Sequence, residues 1–201
     1  PITVRPELGT VNGARMIYIG TGKYLEASDL SNTDTQTIYG ITDPDATTTL
    51  VDPRSTLVQQ TLTNVTGTGY RTGSSNVIPT SSRGWYIDLP DVGERQNVAS
   101  LLVSGTLIVP SNVPTNTACS PGGYGYVNYI DYKTGGAVVY DNPSGYASTK
   151  TNSMVVGLNA LYVGATYTPV LNVVTADTPT PTKFNVPFGS SATGFQSRRV
   201  L

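Results

Sequence analysis

Three aspartates in one turn-rich stretch have residue types and spacing that suit metal binding. Asp43, Asp45 and Asp52 could surround Ca²⁺ with the hard oxygen ligands that this ion accepts. Aspartate is also an ordinary turn residue, and the glycine that usually makes the sharp bend of a calcium loop is missing there. The three aspartates are therefore candidate calcium ligands, with solvated turn carboxylates as the alternative.

A second acidic group follows a strand-like run further along the chain. It consists of Asp88, Asp91 and Glu94. Metal ligation is one interpretation of this group. The other is that Glu94 pairs with the adjacent Arg95 or with a neighbouring unit of the fold.

The sequence contains few of the residues and motifs that enzymatic catalysis uses. The chain contains no histidine, which is the commonest general base for a Ser or Cys nucleophile. Its one cysteine, Cys119, lies in a Pro/Gly loop and favours a structural role or a disulfide with a partner outside the segment. Residues 20–23 (Gly-Thr-Gly-Lys) lack the spacing of a Walker phosphate loop, and Tyr24 stands where that motif has Ser or Thr. We therefore predict that the chain is not an enzyme.

An aromatic patch surrounds one strand and its loops. Its members are Tyr124, Tyr126, Tyr129, Tyr132, Tyr140 and Tyr146. Alternation along the strand assigns most of these rings to core packing on either face. Tyrosine also gives a large contact area at low entropic cost, so the loop residues Tyr140 and Tyr146 are candidate partner-binding residues.

Composition bounds the fold and the partners. The chain has 21 Gly, 14 Pro and 13 Tyr and no window with helical spacing of apolar residues, which predicts an all-β fold with little or no helix. A net charge of -1 gives no basic field for nucleic acid. No apolar run approaches the roughly 20 residues that cross a bilayer, so we expect no membrane span.

A pair of apolar strands separated by a turn or loop occurs three times. The pairs are residues 15–19 with 37–42, 105–109 with 124–131, and 159–164 with 169–177. Such repetition is typical of blade-like units that carry loop insertions, and we expect four-stranded sheets packed face to face. The remaining segments are interpreted as follows: 1–14 without a regular element, 55–63 as an outer strand, 64–83 as turns and loop, and 84–90 as a strand with Trp85 buried.

Several short motifs stand in a particular order along the chain. They are residues 1–3 (Pro-Ile-Thr) with 5–6 (Arg-Pro), 20–25 (Gly-Thr-Gly-Lys-Tyr-Leu) with Asp29, 84–90 (Gly-Trp-Tyr-Ile-Asp-Leu-Pro), 93–95 (Gly-Glu-Arg), 119–123 (Cys-Ser-Pro-Gly-Gly), Asp131 with 134–136 (Thr-Gly-Gly), and 198–200 (Arg-Arg-Val). In this order they resemble the C-terminal propeller of the PilC/PilY1 family of type IV pilus proteins. The resemblance covers nearly the whole chain.

The resemblance implies a fold and a cellular place. Residues 1–201 are then the C-terminal part of a PilY1-like β-propeller domain, a partial propeller of final blades with long Gly/Ser/Thr/Pro loops. The parent is a large secreted protein at the bacterial outer membrane, cell surface or pilus tip. The start at Pro1 rather than Met fits a mature, proteolysed or excised segment.

The resemblance also implies a function without catalysis. Family members support pilus biogenesis, control retraction, and contribute to twitching motility and surface adhesion. The implied partners are pilus subunits or minor pilins, the remainder of the parent protein, and a host surface. Calcium is a cofactor of some parent proteins, but this segment has no matching Asp-x-Asp-x-Asp-Gly run, so calcium dependence is not carried over.

A propeller enzyme is the alternative from another functional class. Quinoprotein-like dehydrogenases use similar Gly/Trp strand ends with calcium and a quinone. That chemistry requires a full ring of blades with a central base, and the sequence offers neither histidine nor a convincing carboxylate pair. A partial propeller leaves blade faces uncovered, so we expect it to associate with other copies or with the rest of its parent.

Overall fold

The all-β prediction is confirmed. The computed structural model describes residues 1–43, 52–115, 122–138, 145–163 and 168–187. Its helices within these ranges are two short 3₁₀ turns, Ala27–Ser31 and Pro53–Thr56, and no described helix has the length and apolarity to span a membrane. The strands are β1 (Glu7–Val11), β2 (Ala14–Gly20), β3 (Thr37–Asp43), β4 (Val58–Gln60), β5 (Leu62–Val65), β6 (Tyr70–Gly73), β7 (Gly84–Asp88), β8 (Leu101–Val103), β9 (Thr106–Pro114), β10 (Gly123–Asp131), β11 (Ser148–Thr151), β12 (Val155–Val163), β13 (Thr168–Thr175) and β14 (Thr178–Asn185).

These strands form three sheets. The first has the order β1-β2-β3-β7-β4, the second β5-β6-β11-β10-β9-β8, and the third β12-β13-β14. All neighbours are antiparallel except β4 and β7, which are parallel. The predicted strand pairs are confirmed as β2–β3, β9–β10 and β12–β13, one in each sheet. The described parts of the sheets have five, six and three strands rather than four each.

Two hydrophobic clusters hold the sheets face to face. The first cluster joins Trp85 of the first sheet to Ile130 of the second. The second cluster joins Val127 of the second sheet to Leu171 of the third. Because successive residues of a strand point to opposite faces, β10 supplies Ile130 to the first cluster and Val127 and Tyr129 to the second, and it is covered on both sides. The second sheet is therefore the middle layer of a three-layer stack, and a propeller axis through these layers stays a prediction.

Trp85 is the largest side chain of the first cluster, and its predicted burial is confirmed at 0% exposure. Two glycines make room for its indole. A Cβ on Gly40 would lie 2.3 Å from Trp85 Cε2, and one on Gly135 would lie 2.3 Å from Cδ2. The indole Nε1 donates a hydrogen bond to the Tyr132 carbonyl at 3.3 Å. The Gly-Trp and Thr-Gly-Gly motifs, far apart in sequence, thus form one packing unit.

The interpretation of residues 1–14 was wrong, because β1 pairs with β2 over its whole length. The turn between them uses Asn12 and Gly13, whose φ angles are 51° and 82°. Positive φ at both central residues suits the twist of a two-residue hairpin, and Asn-Gly is the strongest short signal for it. The signal was present in the sequence, but the surrounding Pro and Gly obscured it.

Two further segments differ from their predictions. Residues 55–63 do not form one outer strand, because they divide between the end of the 3₁₀ helix Pro53–Thr56, β4 in the first sheet and β5 in the second. Residues 64–83, predicted as turns and loop, contain the end of β5 and all of β6. These two strands pair as a hairpin around Gly67 and Gly69, both at positive φ. A short polar hairpin lacks the apolar alternation that identifies a strand in sequence.

Candidate interaction site

The loop of residues 20–32 is ordered by an aspartate within it. Asp29 accepts hydrogen bonds from the backbone N–H groups of Leu25 at 2.8 Å and Glu26 at 3.1 Å. Its carboxylate also lies 3.3 Å from the Lys23 ammonium, which contacts Glu26 as well. The Leu25 N–H, ahead of the other donors, holds the pKa of Asp29 below its ordinary value. This part of the loop therefore has a fixed backbone although its side chains reach solvent.

Arg95 also anchors the loop of residues 20–32, through hydrogen bonds from its buried guanidinium. The side chain is 3% exposed and donates to four backbone carbonyls. The acceptors and distances are Gly93 at 2.9 Å, Lys23 at 2.8 Å, Asp29 at 2.7 Å and Asn32 at 2.8 Å. Burial lowers the pKa of Arg95, and the Asp29 charge offsets this only in part. Arginine remains protonated even so, and its planar fork suits several carbonyls at once.

The backbone around Arg95 connects two sheets. Arg95 exchanges hydrogen bonds with Asn112 of β9, at 2.9 and 2.8 Å. The next residue, Gln96, donates to the Thr21 carbonyl at the end of β2 at 3.0 Å. Residues 95–96 therefore bridge the first sheet to the second. The same contacts hold the Gly-Glu-Arg motif against the loop of residues 20–32.

Glu94 points the other way, into a buried ion pair with Arg71 of β6. Both side chains are 0% exposed, and two parallel hydrogen bonds of 2.8 Å join them. The alternative partners were Arg95 and a neighbouring unit of the fold, and the second is correct. The Arg71 guanidinium also lies 3.3 Å from the centre of the Tyr126 ring and donates to Asn64 at 2.8 Å. Burial works to lower the pKa of Arg71, but the contacts with Glu94 outweigh it and the pKa is raised.

Asp91 closes this cluster toward solvent. It lies 3.1 Å from Arg71 and accepts hydrogen bonds from Asn64 at 2.8 Å and from the Tyr124 hydroxyl at 2.9 Å. Burial alone would raise the pKa of Asp91, yet these partners lower it overall. Burial, with Asp91 as its hydrogen-bond partner, raises the pKa of Tyr124.

The second acidic group therefore does not act as a free set of carboxylates. Glu94 and Asp91 are bound by Arg71, and Asp88 is bound by Arg54 at 2.6 Å. A cation would therefore meet a guanidinium charge at each of these carboxylates. No group of three His, Cys, Asp or Glu residues is placed to hold a metal in the part of the chain that the structure describes.

The candidate calcium ligands are only partly within the described residues. Asp43, at the end of β3, lies 3.2 Å from the Arg15 guanidinium. Asp52 caps the 3₁₀ helix Pro53–Thr56 by accepting from the Arg54 N–H at 3.2 Å. Asp45 lies outside the described residues, so calcium binding by the three stays a prediction.

Of the two candidate partner-binding tyrosines, Tyr146 is among the described residues and Tyr140 is not. Tyr146 stacks on Tyr70 of β6, with ring centres 4.5 Å apart and planes 2° from parallel. Tyr70 is 37% exposed, so this stack reaches the surface. Tyr140 and Cys119 lie outside the described residues, and a partner role for Tyr140 and Tyr146 stays a prediction.

Three exposed aliphatic side chains near these anchored segments were not predicted from the sequence. Ile2, Leu25 and Val92 are 53%, 75% and 74% exposed, and together they are called the aliphatic surface here. Pro1 and Thr3, on either side of Ile2, both bind Gly22, by a backbone bond and a hydroxyl bond of 2.8 Å each.

The neighbours of Leu25 and Val92 are anchored in the same way. The Lys23 and Gly93 carbonyls bind Arg95, and the Asp91 carboxylate binds Arg71. No sequence signal identifies this surface, because the contacts that anchor its neighbours are formed only in the tertiary structure.

Two proteins of Xylella fastidiosa strain Temecula1 are similar to this chain, and both are named Type IV pilus biogenesis factor PilY1 homolog. One is 32% identical in an alignment of 150 residues that covers 68% of this chain and 12% of the relative. The other is 28% identical over 151 residues, covering 69% and 10%. The chain thus spans about a tenth of the length of these relatives. No protein-family model and no solved structure matches the sequence.

Proposed function

The chain belongs to the PilY1-like family of type IV pilus biogenesis factors, and from this premise we propose that it is a non-catalytic interaction domain of the pilus machinery. The observation that carries the proposal is the aliphatic surface. Its three side chains belong to segments in which neighbouring residues are bound by Arg95, Arg71 and Gly22. A surface already ordered in this way loses little conformational entropy when it binds.

The partner that we propose is a pilus subunit or minor pilin. The two relatives are named as type IV pilus biogenesis factors, which supports a partner from the pilus assembly. Exposed aliphatic residues next to a polar rim match the usual anatomy of a protein interface, with Lys23 and Glu26 on that rim. Through this contact the domain would act in pilus biogenesis and retraction, and so in twitching motility and adhesion to surfaces. Its location would be the cell surface or the pilus.

We also propose that the three stacked sheets are consecutive blades of a propeller that the parent protein completes. The stack supports this because each sheet covers the next through its own hydrophobic cluster. Val156 and Leu161 of β12 are 54% and 50% exposed, which supports a further layer of the parent against the third sheet. The quinoprotein-like alternative gains no support from the acidic residues of β7 and its loop, because arginines bind them.

Binding to purified minor pilins of the same pilus system tests the proposal. We expect the chain to bind at least one of them, and the double variant Leu25→Asp, Val92→Asp to weaken that binding about tenfold or more. Val77→Asp is the matched control, because Val77 is 84% exposed in a different loop and should leave binding unchanged. No binding by the wild type, or equal binding by the double variant, would contradict the proposal.

A further inference from the structure

A cleft of about 270 Å³ lies between the turn that follows β11 and the β13–β14 hairpin. It is distant in sequence from the aliphatic surface and contains none of its residues. The side chains that matter for its chemistry are Asn152, Ser153, Thr175, Asp177, Thr182 and Phe184. Within the described chain, the cleft therefore combines hydroxyl, carboxamide, carboxylate and aromatic groups in a small space.

The cleft exists because the inner face of the hairpin changes character along its length. Leu171 and Val173 of β13 are fully buried in the second hydrophobic cluster, whereas Thr175 continues the same alternation and is only partly buried. On β14, Phe184 packs against that cluster and the exposed Thr182 pairs with Val173. Apolar residues thus form one end of the cleft and hydroxyl groups the other.

The carboxylate of the cleft has a fixed orientation. Asp177 Oδ1 accepts hydrogen bonds from the Thr175 hydroxyl at 2.9 Å and the Thr178 hydroxyl at 3.0 Å. Thr175 is the largest cause of a lowered pKa of Asp177, so this group is ionised at neutral pH. The Ser153 side chain also hydrogen-bonds this carboxylate, so Asp177 lies at the junction of the turn after β11 and the hairpin.

Two polar side chains of the cleft are available for a ligand. Asn152 and Thr182 are exposed and make no side-chain hydrogen bond to any residue in the described ranges. A carboxamide and a hydroxyl both donate and accept, so they match a ligand whose own groups do both. Their positions on opposite walls suit a molecule held between the turn and the hairpin.

The charge distribution excludes the simplest ionic ligands. An anion would face the Asp177 carboxylate, while the ammonium of Lys150, which also lines the cleft, lies 3.7 Å from the centre of the Tyr124 ring. Ca²⁺ takes roughly six to eight oxygen ligands and prefers several carboxylates. The described residues that line the cleft include one carboxylate, that of Asp177. A neutral, hydroxyl-rich molecule with an apolar face fits both the polar wall and the Phe184 ring.

We propose that this cleft binds a single pyranose unit of a carbohydrate. The sugar hydroxyls bind Asp177, Asn152 and Thr182, and the C–H face of the ring packs on Phe184. The inference does not depend on the pilin contact, because the two sites share no residue.

Titration of the isotopically labelled full chain with free glucose, galactose, mannose and N-acetylglucosamine tests this inference by amide NMR. With at least one sugar, we expect shifts confined to residues 151–153 and 175–184, with a Kd on the order of 1 mM. No shift with any of the four sugars, or shifts that lie elsewhere, would overturn the proposal. Glycerol should give no saturable shift, and a response equal to that of the sugars would also count against a pyranose site.

Matched variants locate the binding. Asn152→Ala and Thr182→Val should each weaken binding about fivefold to tenfold. Asn185→Ala is the control, because Asn185 is exposed on the same strand as Phe184 and its side chain points to the opposite face. Equal affinities of the three variants would overturn the assignment. Because Asn152→Ala and Thr182→Val leave the aliphatic surface intact, pilin binding by these variants separates a failure here from a failure of the proposed function.

Discussion

Arg71, which pairs with the Gly-Glu-Arg motif, and Arg95, which belongs to it, are both buried cations, but they are stabilised by different partners. Arg71 is paired with Glu94 and Asp91, so its charge is neutralised inside the stack. Arg95 is equally buried, yet its four described hydrogen bonds go to backbone carbonyls. The pKa of Arg71 is raised because the Glu94 contacts exceed the effect of burial, whereas burial lowers the pKa of Arg95.

The difference separates two structural roles. A buried charge pair costs much to break, because the remaining charge has no partner and no water. An arginine bound to carbonyl dipoles mainly fixes the chain segments that carry those carbonyls. Arg71 therefore holds the interior between the first two sheets, and Arg95 holds the loop of residues 20–32 that presents Leu25.

Replacing Arg71 tests the first role and should have the largest effect. Arg71→Met leaves the buried Glu94 carboxylate without its guanidinium partner, and we expect the free energy of unfolding to fall by about 3–5 kcal/mol in urea denaturation. The double variant Arg71→Met, Glu94→Gln should regain part of that loss. Arg54→Met, which breaks the more exposed pair with Asp88, should cost no more than about 1 kcal/mol. Equal effects of the two arginine substitutions would remove the distinction between them.

Replacing Arg95 should have a smaller and more local effect. Arg95→Met removes four hydrogen bonds to buried or part-buried carbonyls, and we expect the free energy of unfolding to fall by about 2–3 kcal/mol. Amide hydrogen exchange should accelerate in residues 20–32, and minor-pilin binding should weaken as the loop loses its order. If exchange accelerated evenly over the three sheets instead, Arg95 would not be an anchor of this loop.

Lowering the pH should reduce the free energy of unfolding by protonating Asp91, the partner of Arg71. We expect this change to be smaller than the effects of the Arg71 and Arg95 substitutions. The pKa of Asp91 is below its ordinary value in the folded state, so its contribution is present above the unfolded pKa of about 3.9 and is lost as pH falls through the folded pKa. Between about pH 5 and about pH 3, Asp91→Asn should therefore lose less stability than the wild type, by under about 1 kcal/mol after solvent screening. Asn185→Ala, which changes an exposed residue of the third sheet, should keep the wild-type pH dependence. Identical pH profiles for Asp91→Asn and the wild type would contradict the assignment.

Elements with strong local patterns could be predicted from the sequence. The strands β2, β9 and β10 contain dense apolar runs, and the burial of Trp85 followed from its place in such a run. The faces of β10 were also predictable, because alternation alone assigns Val127 and Ile130 to opposite clusters. The hairpin β5–β6 was not predictable in this way, because its stability depends on pairing with β11 in the middle sheet.

The interaction site was less predictable than the fold. Gly93, Glu94 and Arg95 were recognised as a motif, but their spacing does not show that Glu94 and Arg95 point to different partners. Arg71 carried no signal, since it stands in a polar segment that was interpreted as loop. The exposure of Leu25 and Val92 was equally hidden, because an apolar residue in a loop is as often buried as exposed.

The sequence by itself determined the all-β class, the three strand pairs, and the absence of histidine chemistry, because composition and alternation act over a few residues at a time. The tertiary structure decided that Arg71 meets Glu94 across 23 positions and that Arg95 reaches Asp29 across 66. Those contacts depend on how three sheets stack and on which polar groups are then left without water. Such groups must find partners within the fold, and no local pattern states where those partners are.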